Sequence, residues 1–164
     1  MFHIGDKIVY PMHGAGIIEK IEKKEILGEI REYFIIRMPI GDMKVMVPVS
    51  NVYEVGVRFI IDENDIESVI EILRDKRTEM PQNWNRRYRM NMEKIKTGDI
   101  NEIAEVVRNL AILDDEKGLS TGERKMLGNA RQMLLSELVL ASGREINEVE
   151  EIVTAAIKES EVKG

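Results

Sequence analysis

The first sixty residues carry short runs of β-branched and aromatic residues, separated by turn-forming residues. The runs that predict strands cover residues 7–10, 16–21, 33–38, 44–47 and 55–59. Pro48 ends the fourth run, because a proline nitrogen cannot donate to a β-ladder. Five short strands in so short a stretch are too few for a sandwich. They predict a small, strongly bent barrel of the SH3 or Tudor kind.

From Asp62 onward the apolar residues recur with the spacing of helices. Four stripes at intervals of three and four residues predict amphipathic helices around residues 66–73, 100–111, 126–138 and 146–156. A basic segment between the first two stripes, after Pro81, predicts a further helix over 85–96. Asp99 and Ser120 are the expected N-caps, and glycines follow the stripes where helices would stop.

The change of period near residues 60–65 predicts a division into two domains. Residues 1–60 would form the five-stranded β-barrel and residues 61–164 a compact bundle of about five α-helices. The expected fold class is therefore α+β. The formal charge divides at the same point, because the first domain is balanced and the second carries the whole net charge of -6.

The only tryptophan, Trp84, lies in the only concentrated run of positive charge. Within residues 80–98 five basic residues face a single acid. Arginines bind phosphates through charge, and an indole can stack on a base or wedge beside one. The pattern indicates contact with a polyanion at one place. Arg124, Lys125 and Arg131 would join this surface if their helix packs beside it, whereas the alternative is a core tryptophan beside a solvated helix face.

The composition narrows the class of protein and its compartment. A hydrophobic content of 43% can supply a core, which argues against wholesale disorder. The absence of cysteine excludes disulfides, thiolate zinc sites and cysteine nucleophiles. No apolar stretch approaches the roughly 20 residues of a membrane span, and residues 1–6 lack the pattern of a signal peptide. We therefore expect a soluble cytoplasmic protein.

No constellation of catalytic residues is recognisable in the chain. His3 and His13 lack the i, i+4 spacing that places two metal ligands on one helix face. The glycines at Gly14 and Gly16 resemble a phosphate-binding loop only superficially, since no Gly-Lys-Ser/Thr ending follows them. They are expected to permit a tight turn or bend. We expect no enzyme, no metal and no cofactor, and a nucleotide-binding enzyme that uses this loop is the rival hypothesis.

Four segments resemble a known family of regulators. The strand-rich half contains GDKIVYPMHGAGII at residues 5–18 and KEILG at 24–28, followed by Tyr33. The helical half contains PQNWNRRY at residues 81–88 and GLSTGERKML at 118–127. At this spacing the segments are similar to the CarD-type, or CdnL, bacterial transcription regulators over nearly the whole chain. The barrel half alone also resembles a module of transcription-repair coupling factors, but no helicase motor accompanies it.

The resemblance implies that the barrel docks on the lobe of the RNA polymerase β subunit. It implies that the helical domain contacts promoter DNA at the upstream edge of the transcription bubble. Trp84 would enter the minor groove where duplex meets melted DNA and hinder re-annealing. The open promoter complex would thereby be stabilised, without sequence-specific reading of bases.

The side chains expected at these two contacts form two sets. The resemblance and the local charge together suggest that the DNA contacts are Trp84, Arg86, Arg87, Arg89, Arg124 and Lys125. The resemblance implies polymerase contacts at Lys24 and Met46, with Ile26 and Lys44 adjacent to them. Some relatives carry arginine at the position of Met46, so an apolar contact is expected here in place of an ionic one.

An adaptor that binds polymerase through the barrel and another protein through the helices is the alternative function. In that case the Trp84 segment would be a protein-binding hot spot. The sequence leaves open which promoters respond, whether they are activated or repressed, and how the two domains are oriented. A monomer is expected, and a dimer that exchanges barrel strands is the alternative.

Overall fold

The computed structural model describes all 164 residues, and its first half is one antiparallel sheet. The five strands are β1 (Lys7–Tyr10), β2 (Gly14–Ile26), β3 (Glu29–Arg37), β4 (Lys44–Pro48) and β5 (Arg58–Phe59). Their order in the sheet is β4-β3-β2-β1-β5. The fifth strand is shorter than expected, because Gly56 has a φ of 82° and the chain turns there, with the N–H of Val57 donating to the carbonyl of Val52.

The sheet bends around its own core. A register shift between Ile18 and Lys20 marks a β-bulge in β2, and such bulges bend a strand and increase its twist. The inner face holds a cluster of nine buried residues: Phe2, Ile8, Ile18, Phe34, Ile36, Met38, Val47, Val52 and Val57. Four different strands contribute to this cluster. The expected small Tudor-like β domain is confirmed.

Strands β2 and β3 continue as a two-stranded hairpin beyond their neighbours. β1 pairs with β2 only as far as Ile17, and β4 pairs with β3 only from Tyr33 onward. Leu27 and Gly28 form the turn with φ values of 53° and 81°, as mirror-image hairpin turns require. The sequence pattern missed this extension because residues 22–32 are mostly exposed on both faces and lack an alternating apolar side.

The second half is built from five helices around a cluster of 22 buried residues. They are α1 (Ile66–Arg74), α2 (Trp84–Lys96), α3 (Ile100–Lys117), α4 (Thr121–Ser142) and α5 (Ile146–Lys163). The expected number of helices and the α+β class are confirmed. α2 begins at Trp84, one residue earlier than the pattern predicts. None of the helices combines the length and apolarity needed to cross a membrane.

Local side chains determine where three of the helices begin. Asn83, Asp99 and Ser120 each accept a hydrogen bond from a backbone N–H in the first turn of α2, α3 and α4. These bonds satisfy donors that the helix itself leaves free. Glycine follows α3 and α4 at Gly118 and Gly143, with φ values of 79° and 71°, which matches the usual helix ending.

The start of β2 packs directly against the middle of α4. The backbone N–H of Ala15 donates to Ser136 Oγ at 2.9 Å, and Val9, Ala15 and Leu140 form a small buried cluster. Gly14 has a φ of 109°, and a Cβ on it would lie 2.8 Å from Ser136 Oγ. Glycine is therefore required here by close approach of the strand to α4, as well as by the turn.

An ion pair joins the two halves beside this contact. Arg58 of β5 donates to both carboxylate oxygens of Glu137 at 2.8 Å, and also to the carbonyl of Gly98. Glu137 is 3% exposed and also accepts the N–H of Ile61 at 2.9 Å. The fork of a guanidinium matches a carboxylate in this bidentate geometry, which fixes direction as well as distance. The β domain is thus held in a defined orientation on α4 and on the loop between α2 and α3.

Candidate functional site

Trp84 stands at the first position of α2 with about half of its surface in contact with solvent. Asn83 caps the helix by accepting the N–H of Arg86 at 3.1 Å, so the chain enters the helix at the tryptophan itself. Trp84 is 52% exposed, and it belongs to none of the hydrophobic clusters. The alternative of a tryptophan sealed in the core is therefore wrong. An exposed indole at a helix N-terminus also lies where the helix dipole favours anions.

Two arginines of α2 are free to meet a ligand. Arg86 and Arg89 are exposed, and the ion pairs of this helix are made by Arg87 and Lys94 instead. Lys94 pairs with Glu105 of α3 at 2.8 Å. Of the five basic residues in this segment, two are thus engaged internally. The free positive charge next to Trp84 comes mainly from Arg86 and Arg89.

Arg87 occupies an internal position that its surroundings in sequence do not reveal. Its guanidinium donates to both carboxylate oxygens of Glu123 on α4, at 2.6 and 2.9 Å. Its side chain is 14% exposed and that of Glu123 is 1% exposed. Arg87, expected from the sequence to contact DNA, is thus largely buried and paired with a carboxylate of the same chain.

The electrostatics of this pair favour its ionised form. The hydrogen bond from Arg87 holds the pKa of Glu123 below its ordinary value, and the same bond raises the pKa of Arg87. A carboxyl group whose pKa is lowered on folding stabilises the protein above its unfolded pKa, and this contribution is lost as pH falls through the folded value. The pair is therefore intact at neutral pH.

The same ion pair brings the starts of α2 and α4 side by side. Gly122 also faces α2, since a Cβ on it would lie 3.8 Å from the ring of Tyr88. Arg124 and Lys125 follow directly on α4, and both are exposed. Arg124 lies 4.0 Å from the carboxylate of Asp114 and donates to the carbonyl of Leu119 at 3.3 Å. Trp84, Arg86, Arg89, Arg124 and Lys125 therefore share one end of the bundle, which we call the basic end.

Arg131 does not join the basic end. It lies two helical turns further along α4, and its guanidinium donates to Thr154 Oγ1 of α5 at 3.0 Å. The positive surface expected beside Trp84 therefore includes Arg124 and Lys125 but not Arg131. The contacts between α2 and α4 include the Arg87–Glu123 ion pair and the approach of Gly122 to Tyr88.

A buried polar network holds the segment that leads into α2. Arg108 and Asn109 of α3 are buried, and Arg108 donates to the carbonyl of Ile72 at 2.8 Å. Asn109 donates to Thr78 Oγ1 at 2.7 Å, and Thr78 in turn donates to Glu105. Burial lowers the pKa of Arg108. No pattern in the sequence indicates this network, because it joins α3 to residues that lie 27 to 36 positions earlier in the chain.

The four residues expected to contact polymerase lie on one face of the β domain. In the register of β2 and β3, Lys24 lies opposite Arg31 and Ile26 opposite Glu29, whereas Lys23 lies opposite Glu32 on the reverse side. Lys44 and Met46 lie on the same face of β4, opposite Arg37 and Ile35. This face is opposite to the one that carries Phe34 and Val47 into the core. Because side chains alternate between the two faces along each strand, all four side chains lie on the same face of the sheet.

We call this surface, defined by Lys24, Ile26, Lys44 and Met46, the docking face. All four side chains are exposed, and Lys44 pairs with Glu19 at 3.1 Å. Leu27 lies next to Ile26 and is not among the contacts expected from the sequence. It is 100% exposed at the hairpin tip and has a φ of 53°, a conformation that leucine rarely adopts. An apolar side chain at a position suited to asparagine or glycine was the available signal.

The histidines and the glycine pair are accounted for by the β domain. His13 stacks on Tyr10 with ring centroids 4.2 Å apart, and its Nδ1 lies 3.2 Å from the carbonyl of Pro11. Gly14 and Gly16 are buried, and a Cβ on Gly16 would lie 2.5 Å from Ile36. Close packing within the β domain and against α4 therefore accounts for the two glycines.

Comparison with known proteins agrees with these two halves. Residues 2–61 match the model of the CarD-like/TRCF RID domain, and residues 68–154 match that of the CarD C-terminal domain. The putative transcription factor YdeB of Bacillus subtilis (strain 168) is 47% identical over 143 residues. That alignment covers 87% of this chain and 94% of the relative. The RID match implies an interaction with RNA polymerase, and the family as a whole implies transcription regulation.

Proposed function

The chain belongs to the CarD-like family of transcription factors, and from this premise we propose that it stabilises open promoter complexes. Residues 1–60 dock on the lobe of the RNA polymerase β subunit through the docking face. Residues 61–164 contact promoter DNA at the upstream edge of the transcription bubble through the basic end. Trp84 wedges into the minor groove there and slows re-annealing.

The observation that carries this proposal is the half-exposed indole of Trp84 among cations that have no strong internal partner. Such a side chain is large, flat and already partly desolvated, so it can lie beside a base step at little additional cost. Arg86 and Arg89 can neutralise phosphates on either side of it. None of these groups has the arrangement of a helix that reads base edges, so the contact depends on DNA form rather than sequence.

The charge of the chain explains why the wedge needs polymerase. Four exposed cations at the basic end can neutralise only a few phosphates, and the protein as a whole has a net charge of -6. Its intrinsic affinity for duplex DNA is therefore weak and sensitive to salt. Docking on polymerase raises the effective concentration of the basic end at the promoter. Unstacking a base step costs a few kcal/mol, so the wedge acts where melting has already occurred.

We expect a charge reversal at Lys24 to weaken binding of the full chain to the polymerase β lobe about tenfold. Lys24→Glu introduces repulsion where the docking face meets its partner, while it lies far from the helical core. Lys23→Glu is the matched control, because it changes the charge identically one residue away on the reverse side of the hairpin. Affinity is measured by titration with a β-lobe fragment. Equal affinities for the two variants would remove Lys24 from the interface.

An adaptor role for the helical domain is the competing function, because an exposed tryptophan beside arginines is also typical of protein-binding hot spots. A photocrosslinker at position 84, in a complex of polymerase and promoter, separates the two. We expect crosslinks to promoter DNA near the upstream bubble edge, and we expect them to decrease as salt increases. Crosslinks to protein alone at every salt concentration would favour the adaptor.

A further inference from the structure

Arg87 ties together three pieces of chain around Trp84. It lies one helical turn after the tryptophan, and its two terminal nitrogens and Nε all donate. Besides the Glu123 carboxylate it reaches the carbonyl of Pro81 at 3.3 Å and that of Gln82 at 3.1 Å. These two carbonyls immediately precede Asn83 and Trp84. One guanidinium thus links the loop before the indole, the helix after it, and α4.

Glu123 is held as firmly as the arginine that it binds. Its backbone N–H donates to Ser120 Oγ at 3.2 Å, and Ser120 Oγ lies 3.0 Å from Glu123 Oε1. The capping interaction expected from the sequence is therefore present, and the remaining capacity of the carboxylate faces Arg87. Because Glu123 is 1% exposed, an unpaired charge there would be costly, which keeps the arginine in place.

We propose that Arg87 is a positioning residue that holds Trp84 in its wedging orientation, with Glu123 as its anchor, and that it is not a contact to DNA phosphate. This inference rests on the proposed function of Trp84. A phosphate contact by Arg87 would require it to give up a bidentate bond to a buried carboxylate. Its neighbours Arg86 and Arg89 can meet phosphate with no such loss. The basic end thus combines an indole on an anchored segment with cations that are exposed.

Glu123→Gln separates a positioning role of Arg87 from a DNA contact, because the two roles predict different changes in the lifetime of the open complex. If Arg87 bound phosphate, removal of the competing carboxylate would free it, and the open complex would live as long or longer. If Arg87 positions Trp84, the indole loses its anchor for part of the time. We then expect the lifetime to fall about threefold, in proportion to the fraction of molecules with Trp84 in place. Arg87→Lys retains the charge but loses the fork, and it should act in the same direction.

Trp84 itself supplies a readout that does not involve polymerase. It is the only tryptophan in the chain, so time-resolved fluorescence anisotropy of the free protein reports its local motion alone. We expect Glu123→Gln to increase the amplitude of fast motion at Trp84 while the helical circular dichroism stays unchanged. Glu148→Gln is the control, since it removes the same charge from an exposed pair with Arg144 on α5. Unchanged anisotropy in Glu123→Gln would overturn the proposal.

A double substitution distinguishes this proposal from the function on which it rests. In a Trp84→Ala background, Glu123→Gln should have no further effect on open-complex lifetime, because there is no indole left to position. Additive effects would overturn the positioning role. If Trp84→Ala alone leaves the lifetime unchanged, the wedge fails as the proposed function, while the anisotropy measurement still decides whether Arg87 and Glu123 hold the tryptophan.

Discussion

Replacement of Trp84 by alanine is expected to shorten the lifetime of the open promoter complex about tenfold. Tenfold corresponds to about 1.4 kcal/mol, which is well within the few kcal/mol that stacking at one base step involves. On the proposed mechanism, the substitution removes the group that occupies the space into which the displaced strand would close. Lifetimes are measured by challenging preformed complexes with competitor DNA. Binding to the polymerase β lobe should be unchanged, because the docking face belongs to the other half of the molecule.

Two matched variants sharpen this experiment. Trp84→Phe keeps an aromatic wedge of smaller area, so an intermediate lifetime is expected. Tyr53→Ala removes an aromatic side chain of comparable exposure from the β domain, where it stacks on Phe2 at 5.7 Å. That variant should behave as the parent. If Trp84→Ala dissociates no faster than Tyr53→Ala, the wedge mechanism is wrong.

Truncation of Glu137 is expected to lower the stability of the whole chain by about 2 kcal/mol, because it leaves the partly buried Arg58 and the N–H of Ile61 without their carboxylate acceptor. Glu137→Ala deprives Arg58 of both bidentate bonds and leaves the N–H of Ile61 unpaired. The free energy of unfolding is measured by urea denaturation, and hydrogen exchange at the Ile61 amide reports the local effect. Since the ion pair joins the two halves, the open complex should also live less long, although no contact with DNA or polymerase has been removed.

Glu148→Ala supplies the comparison for this loss of stability. Glu148 pairs with Arg144 at 3.4 Å across one turn of an exposed surface, and such pairs contribute about 0.3–0.5 kcal/mol. The difference between the two truncations therefore isolates burial and connection between the halves. A loss for Glu137→Ala no greater than that for Glu148→Ala would mean that the Arg58 ion pair does not hold the domains together.

The fixed orientation of the two halves is the reason why substitutions at Trp84 and at Glu137 are both expected to shorten the lifetime of the open complex. The outer face of the sheet packs on α4 through Val9 and Ala15, and it carries Met46 and Lys24 further along. The same helix α4 holds Glu123, which anchors the segment of Trp84. A continuous rigid path thus leads from the docking face to the indole. A wedge gains from such rigidity, because a flexible connection would lower its effective concentration at the bubble edge.

Features that depend on neighbouring residues could be predicted from the sequence. The caps at Asp99 and Ser120 involve donors only two or three positions away, so the residue type and its context are sufficient. The apolar stripes of α3 and α4 likewise reappear as buried residues of one cluster. The β2–β3 hairpin was missed beyond Ile21 because its strands are exposed on both faces, and an exposed strand has no alternating pattern to recognise.

Some features of the candidate site could likewise be predicted from the sequence, and others could not. The place of Trp84 in a basic segment was evident from the sequence, and so was the N-cap at Ser120. The different roles of Arg86 and Arg87 were not, although they are adjacent arginines. The direction of each side chain around α2 relative to α4 separates them, and that depends on how two helices far apart in sequence pack.

The amino-acid sequence alone determines most of the helices and strands, the α+β class, and the presence of one tryptophan in a positively charged segment. Those properties arise from propensity, period and capping, which act over a few residues. Packing of distant elements decides which arginine is free and which is bound, and how the sheet is oriented on α4. The physical reason is that a buried charge is costly unless an opposite charge from another part of the fold pairs with it.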